Sequence, residues 1–544
     1  FVGQPNETYA NGTRGLPSTD PAKSAYATFA AIGRTPMLYG GSNGGMLHGF
    51  EASNNAVTQG VERMAFIPEA VYMDWVDVGD NGIKDDGEAP INKFADVARS
   101  YYGLVSAQPH HFFVDGTPVA GDAFFTTAKA GKGPNEWHTV LVGGLGKGGR
   151  SVYALDITDN TFTEEDVLWE FTDGNSGDMG YSFSRPAIAR LTNGQWVAIF
   201  GNGYDGRNDR ARLFIVNIET GALIRQIDLG TAAANGLSSV SVLRSNDPLD
   251  GVSAIRVYAG DLQGNVWKVD ISDPVPANWT SSLFFTATAG VQRQAITSDI
   301  TLQRYADLDA LDGAAPEAGV MLFFGTGAYF RDKDQSYTGA PLYDSMYGIW
   351  DNGTAGTVAI SQLQEQNRGE VVIDTEVFAT ATSNDVNYEG ALPDAPQRGW
   401  FMQLARTNPL PATYRGERSV FSPTVFDDFL IYSTVIPADK DPCQSGGSGA
   451  LYVVNALTGG ANPYSPFDID GDDDFEDEPT NIIGRNYLNV LLSKPLTFND
   501  PVDGRKIVCV GASDGSVVCE DLPPDPPEPP SSLNSGRMSW RQLQ

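Results

Sequence analysis

Positive charge is what this sequence most lacks. Its 544 residues carry 36 Lys and Arg against 68 Asp and Glu, a formal net charge of −32. A nucleic-acid partner needs a basic footprint that displaces phosphate counterions, so that class is excluded. A polybasic membrane-surface protein is excluded on the same ground. No apolar run approaches the roughly 18 residues of a membrane span, so no direct span is expected. Histidine and cysteine are scarce, four and three residues, and none falls in H-E-x-x-H, C-x-x-C-H or zinc-ligand spacing. Long stretches of 3.6-residue periodicity are rare, which argues against a helical chain. Residues 1–30 show neither an initiator Met nor a signal-peptide pattern. The opening Phe1-Val2-Gly3 reads as the interior of a strand, and a further N-terminal portion is expected.

What is present is β-forming. Apolar residues make up 41%, enough for a core, and 60 Gly and 33 Pro punctuate short apolar runs. A degenerate unit recurs: a strand, a Gly/Asp/Asn turn, a second strand. Residues 37–50 (MLYGGSNGGMLHGF), 256–270 (RVYAGDLQGNVWKVD) and 507–518 (IVCVGASDGSVV) are three copies. Each turn needs the positive φ that Gly and Asn adopt readily. Residues 151–156, 196–201, 213–220, 321–326, 429–434 and 451–459 supply single strands of the same type. Strand pairs spread along some 500 residues predict propeller blades, six to eight with seven preferred. A sandwich pair is the competing architecture; recurrence of the hairpin at both chain ends favours a ring. The expected division is a propeller over residues 1–520, with an insertion at about 74–108 and an acidic insertion at about 462–485. A Pro-rich linker and tail follow over 521–544. Residues 92–107 are the one helix candidate, and Trp540 should make the tail dock.

The acid excess is concentrated in two loops. Residues 77–88 (DVGDNGIKDDGE) fit a 12-residue calcium loop, with Asp77, Asn81, Ile83, Asp85 and Glu88 at ligand positions and Gly82 at the turn. Gly79 offers no ligand, and the flanks are not two helices. Residues 468–478 (DIDGDDDFEDE) place Asp468, Asp470, Asp472, Asp474 and Glu476 at alternate positions. Asp473 stands where Gly is expected, and Asp477 or Glu478 would have to close the shell. A hard cation wants six to eight oxygens converging on one point, and alternate side chains of a tight loop deliver them. A solvated acidic loop is the plainer reading of each. Residues 246–251 form a poorer third loop, read as an ordinary turn.

Counting out from the last turn sets Cys509 opposite Cys519, so a cross-strand disulfide and two free thiols are both open; Cys443 is left over. The histidines read as core or turn residues. Residues 180–184 (GYSFS) lack the second Gly of a nucleophile elbow. The glycine run at 143–149 lacks phosphate-loop spacing and reads as a blade-to-blade turn.

In series these motifs resemble the C-terminal domain of the PilY family, type IV pilus biogenesis factors and tip adhesins. The resemblance rests on residues 40–50 (GGSNGGMLHGF), 111–122 (HFFVDGTPVAGD), 139–156 (TVLVGGLGKGGRSVYALD), the Y-A-G-D-L-x-G-N-x-W-K-x-D-x-S run within 256–272, 324–328 (FGTGA), 416–418 (GER) and 539–541 (SWR). It implies an all-β, modified seven-bladed β-propeller of the quinoprotein-like kind, with long inter-blade insertions and few helices. It implies a non-enzymatic role at the pilus tip: export via the periplasm, docking on minor pilins, Ca2+-dependent control of extension and retraction, twitching, and adhesion to host or abiotic surfaces. The family's calcium loop precedes the Y-A-G-D-L hairpin, where this chain has only the degenerate loop 246–251. The two acidic insertions are therefore the expected calcium sites. The alternatives are a quinoprotein-like propeller enzyme, disfavoured because no two cysteines are adjacent, and a propeller that binds a glycan or a protein.

Overall fold

The computed structural model describes residues 1–7, 9, 15–72, 74–75, 90–91, 112–129, 132–173, 176–245, 247, 250–305, 319–331, 334, 343–388, 396–404, 416–437, 447–472, 474–475, 477–502 and 504–523. The chain divides into two compact units, Phe1–Leu262 with Trp267–Ser282 and Gln263–Val266 with Leu283–Gln544.

Sequential antiparallel strands build both. The first sheet has three, Met37–Gly41, Leu47–Glu51 and Glu62–Phe66. The second has four, Val119–Phe125, Glu136–Gly144, Val152–Asp156 and Val167–Phe171. An eight-stranded sheet holds two sets of four, one running from Ala187–Leu191 to Leu223–Leu229 and the other from Leu237–Arg244 to Thr280–Thr286. A short parallel contact, Arg190↔Ser253 and Leu191↔Ala254, joins the sets. A five-stranded sheet centres on Val320–Gly325 and Ser345–Asp351, and a six-stranded sheet on Phe429–Pro437, Gly447–Asn455 and Ile482–Tyr487. The last sheet has three strands, Leu496–Asn499, Lys506–Gly511 and Val517–Leu522. With the eight-stranded sheet taken as its two sets, the described residues hold seven sets of three or more strands. This is the modified seven-bladed propeller that the repeat predicts.

Inner strands such as Trp196–Gly201 and Val320–Gly325 are buried along their whole length, because both faces are covered. Edge strands alternate or stand exposed, as in Leu496–Asn499. All three predicted hairpins form. In the second, Asp261 is fully buried and accepts the Trp267 Nε1–H at 2.8 Å and the Asn235 Nδ2–H at 2.9 Å. A carboxylate and an indole six residues apart thus lock that hairpin. In the first unit an aromatic cluster forms the core, with Tyr9 stacked on Trp137 at 5.2 Å and Tyr26 edge-on to it at 4.7 Å. In the second, Tyr432 stacks on Tyr452 at 4.8 Å, and fully buried Trp400 donates Nε1–H to Ala456 O.

Several expectations change. The glycine run at 143–149 joins adjacent strands of one sheet, not two blades. Its glycines serve close packing: a Cβ at Gly148 would run into the Phe113 carbonyl, and one at Gly143 into the Tyr153 hydroxyl. The acidic insertion ends before residue 482, since Ile482–Tyr487 is a central strand of the six-stranded sheet. The last strand runs to Leu522, two residues past 520, where buried Leu522 holds it; Pro523 follows. The helix candidate 92–107, Cys443 and Trp540 lie outside the described residues. The longest described helix is Pro21–Ala30 instead. Its signal was legible: Asp20 caps it by accepting the Ala22 N–H at 2.9 Å, and Pro21 takes the first helical position.

Candidate metal centre

The second acidic loop hangs between two core strands, Gly447–Asn455 and Ile482–Tyr487. Fully buried Phe467 anchors its start. Beyond it the chain bends through residues 469–472 and brings Asp468, Asp470 and Asp472 together. One carboxylate oxygen from each lies within 4.8 Å of the others. Among the described residues this is the only group of three or more His, Cys, Asp or Glu side chains so arranged. The loop turns at Gly471, φ +82°, with Asp468 Oδ1 accepting the Gly471 N–H at 2.7 Å. The turn glycine therefore sits at the fourth loop position, not the sixth.

Glu478 holds the loop from below. It is 9% exposed, and its Oε1 accepts the N–H groups of Ile469 at 2.6 Å and Asp470 at 3.1 Å. It orders the backbone that presents the trio. Partial desolvation, and then the charges of Asp472, Asp477 and Glu478, hold the Asp470 carboxyl above its ordinary pKa. A cation at the trio would relieve that repulsion, so the donor set fits a hard, oxygen-seeking ion.

Not every expected ligand joins. Asp474 stays outside the trio, because its own N–H folds back onto Asp472 Oδ1 at 2.9 Å and turns the chain away. Glu476 lies outside the described residues, as do Asp77, Asn81, Ile83, Asp85 and Glu88 of the first loop. In the third loop, Asp250 accepts the Ser253 hydroxyl at 2.8 Å and faces Arg190 at 3.6 Å, as an ordinary turn would.

Other polar residues of the motifs are structural. His138 is fully buried, bonds Asp156 at 2.5 Å and stacks on Phe125 at 4.1 Å. Ser182 and Ser184 are buried and engaged with backbone: Ser182 Oγ donates to Gly149 O, and Ser184 Oγ accepts the Gly201 N–H. Cys509 and Cys519 face each other across the last hairpin and form a disulfide. The FGTGA and GER segments converge, as Arg418 Nη1 donates to Ala328 O at 2.7 Å. One cluster was missed by sequence reading. Fully buried Glu417 accepts the Tyr452 and Thr434 hydroxyls, each at 2.7 Å, and pairs with Arg368 at 3.2 Å.

Successive antiparallel strand sets, with an ordered acidic loop joining two neighbouring strands of one set, define a modified β-propeller. Comparison with known proteins narrows this class. The PilY1 beta-propeller domain family matches residues 15–383, and the chain belongs to that family. The type IV pilus biogenesis factor PilY1 of Pseudomonas aeruginosa is 32% identical over 562 residues, covering 95% of this chain and 42% of the relative. A PilY1 homolog of Xylella fastidiosa is 31% identical over 546 residues, covering 93% and 33%. The chain thus spans less than half the length of these relatives. The crystal structure of the Pseudomonas aeruginosa PilY1 C-terminal domain superposes with a TM-score of 0.70 at 27% identity, covering 96% of this chain and 99% of that one.

Proposed function

We propose that this chain is the calcium-binding, non-enzymatic β-propeller of a type IV pilus biogenesis factor and tip adhesin. It is exported via the periplasm and displayed at the cell surface. There it docks on minor pilins, supports pilus assembly and the balance of extension and retraction that drives twitching, and contacts host or abiotic surfaces. The observation that carries this reading is the near full-length likeness to the PilY1 C-terminal domain. No helix among the described residues is long and apolar enough to cross a membrane.

Asp468, Asp470 and Asp472 would hold the Ca2+, with Glu478 ordering the backbone beneath them. The bound ion would supply the positive charge that the loop itself lacks. Residues 77–88 supply a second site of the same chemistry. Calorimetric titration with CaCl2 tests the metal reading. Wild type should bind, and Asp470→Ala with Asp472→Ala should remove one site; no binding, or unchanged stoichiometry, refutes it. A strain deleted for the gene should show few surface pili and no twitching, and normal piliation would refute the pilus role.

A further inference from the structure

The first unit holds a cleft of about 470 Å³, lined by polar and apolar groups together, beside the N-terminus of the helix Pro21–Ala30. Its volume falls within the range of about 300–1,000 Å³ typical of small-ligand sites. Trp196, 5% exposed, lends an aromatic edge. Around it stand planar polar groups fixed from behind. Arg190, 6% exposed, donates to Asp20 Oδ2 at 2.6 Å and to Ser253 Oγ at 2.7 Å. Glu219, 8% exposed, accepts the Thr126 N–H and the Thr127 hydroxyl, each at 2.8 Å. Asn217 Oδ1 accepts the N–H groups of Glu219 and Thr220, which fixes the amide plane and turns Nδ2 over to other acceptors. Gln195 and Asn135 complete the rim, both exposed. Asn135 is held at φ +63°, a conformation few non-glycine residues adopt. It also lines a second cleft of about 590 Å³, walled by Phe29 and Trp137, on the flank of the same helix.

We propose that these adjoining clefts bind a neutral oligosaccharide. A sugar hydroxyl donates and accepts at once, which matches carboxylate, amide and guanidinium groups set side by side. The apolar C–H patch of a sugar ring packs against aromatic surface, which Trp196 lends in the first cleft and half-buried Phe29 in the second. Two clefts meeting at Asn135 give a chain of rings room to continue. An acidic sugar is disfavoured because Asp20 already neutralises Arg190, Glu219 adds a negative charge, and the whole chain carries −32. The cleft deepens the adhesion reading, since it names the chemistry of a surface ligand, and it involves none of the calcium-loop residues.

The test is a printed array of neutral, sialylated and sulfated oligosaccharides. The tightest neutral binder is then titrated by tryptophan fluorescence. A neutral oligosaccharide should bind, and Gln195→Ala with Asn135→Gly should weaken it about ten-fold. Both positions are exposed and glycine suits a positive φ, so the melting temperature should hold; if it falls, Gln195→Ala alone serves. No neutral binder, preference for the acidic sugars, or unchanged affinity in the variant overturns the proposal. Normal pilus counts in a strain carrying the variant separate its failure from failure of the pilus role.

Discussion

Two clusters of carboxylates belong to the same six-stranded sheet and are managed in opposite ways. Glu417 and Glu370 lie inside, and Arg368 answers both, with Nη1 2.7 Å from Glu370 and Nη2 3.2 Å from Glu417. Tyr452 closes the ring by accepting the Arg368 Nε–H at 2.8 Å while donating to Glu417. Asp468, Asp470 and Asp472 lie outside, and among the described residues neither Asp470 nor Asp472 pairs with an arginine or lysine. The first cluster has its arginine within the fold; the second has its oxygens ordered at the surface. Burial forces the difference. A charge taken out of water needs its partner in the same fold, whereas an exposed one can wait for an ion.

The largest expected effect lies on the buried side. Glu417→Ala takes one of two carboxylates from buried Arg368 and leaves the buried Tyr452 and Thr434 hydroxyls without their acceptor, and should cost about 3–5 kcal/mol in urea unfolding, while Glu417→Gln, which keeps the acceptor, should cost less. Asp344 is a buried carboxylate without such a ring. Burial, only partly offset by Arg418 and the Thr326 hydroxyl, pushes it up to about 6. Its folded pKa is thus above its unfolded value near 4, so the folded state binds the extra proton between those limits. The stability it contributes is full below pH 4 and lost as pH rises through 6, on the order of 3 kcal/mol. Urea midpoints across pH 4 to 7 should show that slope, and Asp344→Asn should flatten it. The smallest effect lies on the exposed side. Glu478→Ala leaves two loop N–H groups unanswered, at a cost of about 1–2 kcal/mol. Faster hydrogen exchange at Ile469 and Asp470, with the rest of the sheet unchanged, checks it. If Glu478→Ala proved as damaging as Glu417→Ala, the contrast between the clusters would collapse.

Much of the fold was legible because hairpins are local. The run from Arg256 to Asp270 carries its alternation, its turn glycine and its Asp261–Trp267 lock within one short segment. The closeness of Asp468, Asp470 and Asp472 was legible for the same reason, since all three lie on one short loop. Asp474 broke the pattern through a backbone turn that no spacing rule anticipates. The acidic insertion expected at about 462–485 overruns the start of Ile482–Tyr487, because the sheet buries Ile482 and Ile483 completely. The ring of Arg368, Glu417 and Tyr452 was invisible, because its members come from separate strands and loops.

By itself, then, the sequence determined the strand–turn–strand units, their repetition and the places where acid accumulates. All of these depend on neighbours along the chain, through turn chemistry and two-residue alternation. Only the tertiary structure decided which carboxylates would be neutralised by an arginine inside the fold and which would be left facing water. That depends on which strands pack together, and hence on which charges lose their solvent.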